Sequence, residues 1–215
     1  MKSKVTSEPA VEPVTLTELK ASLKITNTAE DTLLTQYIVD AREMVERFTS
    51  RKLITQTLVG YAVPYSEHYR MEEFEGYRMG AYEYLTGQPS HIQFDWGPVQ
   101  SVTTVETVDT QNSESTYAST NYYLDNYDED LMPRVVYNDD SVYPTSLRTR
   151  DSWKVTYIAG YGDAGSDVPS DIRRAIIMLA GYLWGNRGAC PDGNCVNACG
   201  ASGALEKFRL ASILS

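Results

Sequence analysis

A chain of 215 residues with 42% hydrophobic side chains can bury a core as one domain, or as one domain carrying an insertion, and is not globally disordered. No apolar run approaches the roughly 20 residues of a membrane helix, and a formal charge of −10 argues against a simple nucleic-acid binder, which needs cations to neutralise phosphates. The charge is uneven: residues 52–160 hold 16 acidic and 7 basic side chains, the rest 13 and 12.

Residues 1–13 carry no apolar h-region, so no secretory signal is expected and the chain should begin its life in a cytoplasm. They read as a flexible arm. Thr15 followed three residues later by Glu18 is a capping box that opens a first helix with Leu16, Leu19 and Leu23 at helical spacing. Glu30 and Asp31 open a second helix, where acids suit the helix dipole. Its apolar stripe is Leu33, Leu34, Tyr37, Ile38, Ala41, Met44, Val45 and Phe48. Arg42–Glu46 and Glu43–Arg47 are i,i+4 pairs expected on the opposite face.

From Leu53 the period changes to two, which predicts a strand. Residues 65–90, rich in Tyr, Glu and Gly, read as a long excursion. Strands are predicted at 91–96, 101–109, 117–124, 134–137 and 153–158, separated by turn residues at Gly97-Pro98, Gln111-Asn112-Ser113 and Asn138-Asp139-Asp140. Pro169 starts a third helix, with Ile172, Ala175, Ile176, Leu179, Ala180, Leu183 and Trp184 on one stripe and Gly185 and Gly188 at its end. Ile177, Met178 and Tyr182 lie off that stripe, so this helix is apolar on a second side and those three residues are candidate subunit contacts. Residues 204–214 read as a short helix or tail. The fold class is therefore α+β: a discontinuous α-helical core (14–51 and 164–215) with an inserted antiparallel β domain (52–163).

Chemistry finds little support in these residues. The two histidines, His68 in the excursion and His91 at the start of a strand, read as surface residues, and there is no nucleophile elbow, so catalysis by a triad is not expected. Gly160-Tyr161-Gly162 lacks the rest of a phosphate loop; the two glycines are expected to supply backbone angles for the turn into the third helix. The acidic run from Asp125 to Asp130 lacks the central Gly and distal Glu of a calcium loop and reads as a solvated turn, as does Asp139-Asp140. Cys190, Cys195 and Cys199 are spaced C-x4-C-x3-C. Three free thiols, a disulfide, or a metal site completed by Asp192 or a neighbouring subunit all fit that spacing. No cofactor is expected. The 16 tyrosines suit either a sheet or an interface.

Three stretches together resemble the phage head–tail connector (head-completion or adaptor) family. They are EPVTLTELKASLKI with TAEDTLLTQYIVDAREMVERFTSRKLITQTL, then GPVQSVTTVETVD, then VTYIAGYGD and VPSDIRRAIIMLAGYLWGNRG. The match runs in order over most of residues 10–188 and departs at 65–90 and at the Cys loop. The resemblance implies a non-enzymatic virion protein of the neck, assembled in the host cytoplasm. It would form a ring, a dodecamer, that docks on the portal and extends the DNA channel toward the tail, without gripping the genome that passes through. Its partners would be other copies of itself, the portal protein and the next neck or tail-completion protein, with no membrane. By position and apolarity, Phe208, Leu210, Ile213 and Leu214 become candidate portal contacts. A stopper or tail-completion protein of the same neck, a Tyr-rich β binding module of the tail, and a small metal enzyme built on the Cys loop are the alternatives.

Overall fold

The structure is a computed structural model and describes residues 1–62, 91–126, 132–138, 140–190 and 194–210. The chain divides into two units: residues 7–56 with 159–215, and residues 1–6 with 57–158.

The first unit is helical. Helix α1 (Leu16–Leu23), α2 (Asp31–Thr49), α3 (Ser170–Gly185), α4 (Cys195–Ala198) and α5 (Ser202–Leu205) are followed by a 3-10 turn, Glu206–Phe208. The expected stripes form one core: Leu34, Ile38, Ala41 and Val45 of α2 meet Ile172, Ala175, Ile176, Leu179 and Leu183 of α3. Helices from both ends of the sequence thus share a single apolar cluster. Gly181 lets α1 approach α3, because a Cβ there would stand 3.0 Å from Leu23 Cδ2.

The ends of α1 and α2 are set by local chemistry. Lys24 and Ser50 take left-handed backbone angles and close α1 and α2. At the start of α1, Thr15 accepts from the Glu18 backbone N–H at 3.2 Å, and Glu18 accepts from the Thr15 N–H at 2.8 Å. The Thr15 N–H, with the Thr15 hydroxyl and the Arg173 guanidinium, holds the Glu18 carboxyl below its ordinary pKa. A folded-state pKa below the unfolded one adds stability that is complete above the ordinary carboxylate range and is lost as pH falls through the folded value. Thr15→Ala should therefore cost about 1 kcal/mol near neutral pH. Glu18→Gln should flatten the acid side of the stability profile, measured by urea unfolding between pH 3 and pH 7.

The second unit is built of strands. One sheet has the order β1-β2-β8-β4-β5, with β1 (Lys2–Ser7), β2 (Gln56–Ala62), β4 (Val99–Val108), β5 (Glu114–Thr116) and β8 (Trp153–Ala159). The other has the order β3-β7-β6, with β3 (His91–Gln93), β6 (Tyr122–Asp125) and β7 (Arg134–Tyr137). Strands β3 and β6 both pair antiparallel to β7, and β4 pairs antiparallel to β5. Alternation sets which side is covered: Trp153, Val155, Tyr157 and Ala159 of β8 are buried, while Lys154 turns out to Glu106 and Glu114 at 3.1 and 2.7 Å.

Four expectations need correction. Residues 2–7 are not a free arm but the edge strand β1. Gly60 of β2 leaves room for it: a Cβ there would lie 2.6 Å from Met1 Sδ and Ser3 Oγ. Asp95 then accepts from the Ser3 backbone N–H at 2.8 Å, and the Tyr157 hydroxyl donates to Ser3 Oγ at 3.0 Å. The strand expected at 117–124 begins only at Tyr122, as β6, after a 3-10 turn at Ser119–Asn121; the separate strand β5 ends before it, at Thr116. Of the glycine pair, Gly160 alone uses the left-handed region (φ 139°); Gly162 is small because Asp167 sits against it. Arg42 and Glu46 are buried rather than solvated. The excursion at 65–90 with His68, the acidic residues Asp128, Glu129 and Asp130, and Asp139, Asp192, Ile213 and Leu214 lie outside the described residues. His91 stands half-buried in β3.

Candidate functional site

The helical unit concentrates its unusual features where α2 ends. The sequence Phe48-Thr49-Ser50-Arg51 makes that turn. Thr49 Oγ1 donates back to the Val45 carbonyl at 2.8 Å, Ser50 turns left-handed, and Arg51 Nε donates to the Phe208 carbonyl at 2.5 Å. The Thr49 carbonyl in turn accepts from the Leu210 N–H at 3.0 Å. The turn therefore clamps the C-terminal segment through backbone groups 157 residues away in sequence.

Beneath the turn lies a buried ionic network. Glu46, 2% exposed, accepts from Lys52 Nζ at 2.8 Å, the Leu53 backbone N–H at 3.2 Å and Gln56 Nε2 at 2.9 Å. Arg42 Nη1 stands 3.4 Å from the same carboxylate, and Arg42 Nε donates to Glu12 at 2.9 Å. Burial pushes the Glu12 carboxyl up, against the pull of Arg42. One carboxylate thus ties the last turn of α2 to the first residue of β2.

Above the turn is an open cleft of 590 Å³ lined by Arg47, Phe48, Asn194, Asn197, Ser202, Gly203, Glu206 and Arg209. Arg209 lies over the Phe48 ring at 5.8 Å and beside Glu206 at 3.5 Å. The sequence signal for this cleft was weak. Its arginines and asparagines come from three separate segments that only the fold brings together.

Of the expected subunit contacts, Met178 presents exposed surface (39%), whereas Ile177 and Tyr182 are partly buried against the core. Of the expected portal contacts, Leu210 is buried at 4% and Phe208 packs partly against the core. Both residues now serve the helical unit, so any partner would meet the surface around them.

In the Cys loop, Cys190 and Cys195 are joined as a disulfide with Cα atoms 5.1 Å apart, and Cys199 is free. Among the described residues no group of His, Cys, Asp and Glu is arranged to hold a metal ion.

The β unit is the acidic one, with 16 acidic and 8 basic residues against 13 and 11 in the helical unit. Three of its described tyrosines gather around one indole. Tyr117 and Tyr137 lie 5.0 and 5.3 Å from Trp153, and Tyr143 lies 5.8 Å from it. Trp153 is fully buried. Tyr117, Tyr137 and Tyr143 thus pack into a core, while Tyr61 and Tyr123 remain exposed.

Comparison with known proteins fits this architecture. No curated protein matches. Among solved structures the fold is shared, at 19% identity and over 100% of this chain and 98% of the other, with a chain of "Neck of empty GTA particle computed with C6 symmetry" (TM-score 0.71). The same coverage and identity hold for a chain of "Virion of native gene transfer agent (GTA) particle" (0.70) and one of "Neck of native GTA particle computed with C12 symmetry" (0.65). The family model of phage gp6-like head-tail connector proteins matches residues 13–130, more than half of the sequence, from the entry to α1 through β7's approach. This chain belongs to the phage gp6-like head-tail connector family and is a structural connector protein of that kind.

Proposed function

We propose that the chain is one subunit of a neck ring that stacks on the portal and continues the DNA channel toward the tail. The observation that carries this reading is a fold shared end to end with chains of particle necks computed with C12 and C6 symmetry. A ring of twelve suits both, since sixfold symmetry is contained in twelvefold. The role is passive and needs no catalytic step. An acidic β unit supports it, because a conduit should not hold phosphates. The exposed Met178, with the edges of Ile177 and Tyr182, supplies apolar surface for a neighbouring subunit. The portal meets the C-terminal segment, through the chain beyond Leu210, with Ile213 and Leu214 as its apolar contacts. Assembly takes place in the host cytoplasm, and a further neck or tail-completion protein closes the distal side.

Electron microscopy of the purified protein with and without portal tests this reading. Rings on the portal are expected, formed either before or upon docking. Subunits that never join a portal ring overturn it. Ending the chain at Leu210 keeps the Leu210–Thr49 clamp and should abolish portal attachment without unfolding the helical unit. Normal attachment by that shortened chain would remove the C-terminal segment from the interface.

A further inference from the structure

The Cys loop is the feature that the connector role leaves unused. Cys190 lies half-buried just past the end of α3, and Cys195, 3% exposed, is the first residue of α4. Their Cα separation of 5.1 Å is within the range a disulfide spans. Cys199 stands one turn further on, and its Sγ donates to the Val196 carbonyl at 3.4 Å. Burial pushes the Cys199 thiol up, so it stays protonated and a poor nucleophile or metal ligand. The three cysteines therefore divide into a pair and a bystander.

The bond would act on a surface. Residues Asn194 and Asn197, which flank the bonded Cys195, form one wall of the cleft with Arg47, Phe48 and Arg209. Cys195, Val196 and Ala201 are buried in the helical core, so α4 has its own anchors when the bond is open. The bond adds a second attachment, to the exit of α3, and both redox states are compatible with the fold.

We propose that Cys190 and Cys195 form a redox lock: a dithiol in the reducing cytoplasm where the chain is made, and a disulfide in the released particle, fixing α4 and the cleft wall it carries. The timing rests on the neck reading above; the pairing does not. The oxidant is a low-molecular-weight disulfide of the oxidising exterior. The thiolate of the more exposed Cys190 attacks one of its sulfurs and releases one small thiolate. Cys195, deprotonated, then attacks the Cys190 sulfur and releases the second. Two protein thiols and one small disulfide become one protein disulfide and two small thiols.

Alkylation under acid quench, followed by mass spectrometry, tests the lock. Protein from host cytoplasm should carry three alkylated cysteines, and protein from released particles only Cys199. Three alkylated cysteines in particles, a bond that includes Cys199, or a bond already present in the cytoplasm each overturn it. In the purified protein, oxidation should raise the melting temperature of the helical unit by about 8–15 °C. Cys190→Ser should abolish the redox dependence and Cys199→Ser should keep it. A dependence that survives Cys190→Ser, or stoichiometric zinc in the reduced protein, rejects the pairing whatever the neck experiment finds.

Discussion

Replacing Glu46 by Ala is expected to lower the stability of the helical unit by about 3–5 kcal/mol, the usual cost of breaking a buried ion pair from one side. The carboxylate serves Lys52, the Leu53 N–H, Gln56 and Arg42 together, at 2.8 to 3.4 Å. With Ala in its place, the Lys52 and Arg42 cations lose their shared carboxylate inside the unit, and a backbone N–H loses its acceptor. Arg42 keeps Glu12. Glu46→Gln restores an acceptor but not the charge, and should fall between wild type and Ala. Urea unfolding followed by circular dichroism at 222 nm, which reports the helices, measures the change. A loss below about 1 kcal/mol for Glu46→Ala would mean that water reaches the network and screens it.

The β unit should respond most strongly at Trp153. Trp153→Ala removes a fully buried indole ringed by Tyr117, Tyr137 and Tyr143, and should cost about 3–5 kcal/mol as a large-to-small core substitution. Its neighbour gives the opposite sign. Tyr137 is 8% exposed and its hydroxyl has no hydrogen-bond partner among the described residues, and burial pushes its pKa well up. Tyr137→Phe deletes an unsatisfied polar atom and keeps the ring, so stability should hold or rise by up to about 1–2 kcal/mol. Near-UV circular dichroism follows both variants. A marked loss in Tyr137→Phe would show that the hydroxyl is hydrogen-bonded through water.

Much of the helical unit was legible because periodicity and burial agree there. The stripe from Leu34 to Val45 and the stripe from Ile172 to Leu183 are both read from spacing, and both meet in one core. The capping box at Thr15 and Glu18 was equally plain, since its chemistry is local. The expectations that failed depend on distant residues. Lys2 to Ser7 looks like a polar tail until Gly60, Asp95 and Tyr157 are placed beside it. Arg42 and Glu46 look like a surface pair until Lys52 and Gln56 fold over them. The cleft was hidden for the same reason. Arg47, Asn194 and Arg209 carry no shared pattern, and the turn that joins them reaches its partner across 157 residues. The tyrosine count pointed to an interface or a sheet, and the buried ring around Trp153 accounts for several of them as core.

Strand β1 also guards the sheet it completes. An edge strand offers its unpaired backbone to any other extended chain, and β2, with Leu58 at 0% and Ala62 at 4% exposure, would be an apolar template if it stood at the edge. Instead the edge belongs to a strand whose outward side chains are Lys2, Lys4 and Thr6. Two like charges along that edge repel a second copy that approaches strand to strand. Loss of residues 1–6 would therefore do more than weaken the β unit. It would open β2 as an edge through which copies pair at random and aggregate.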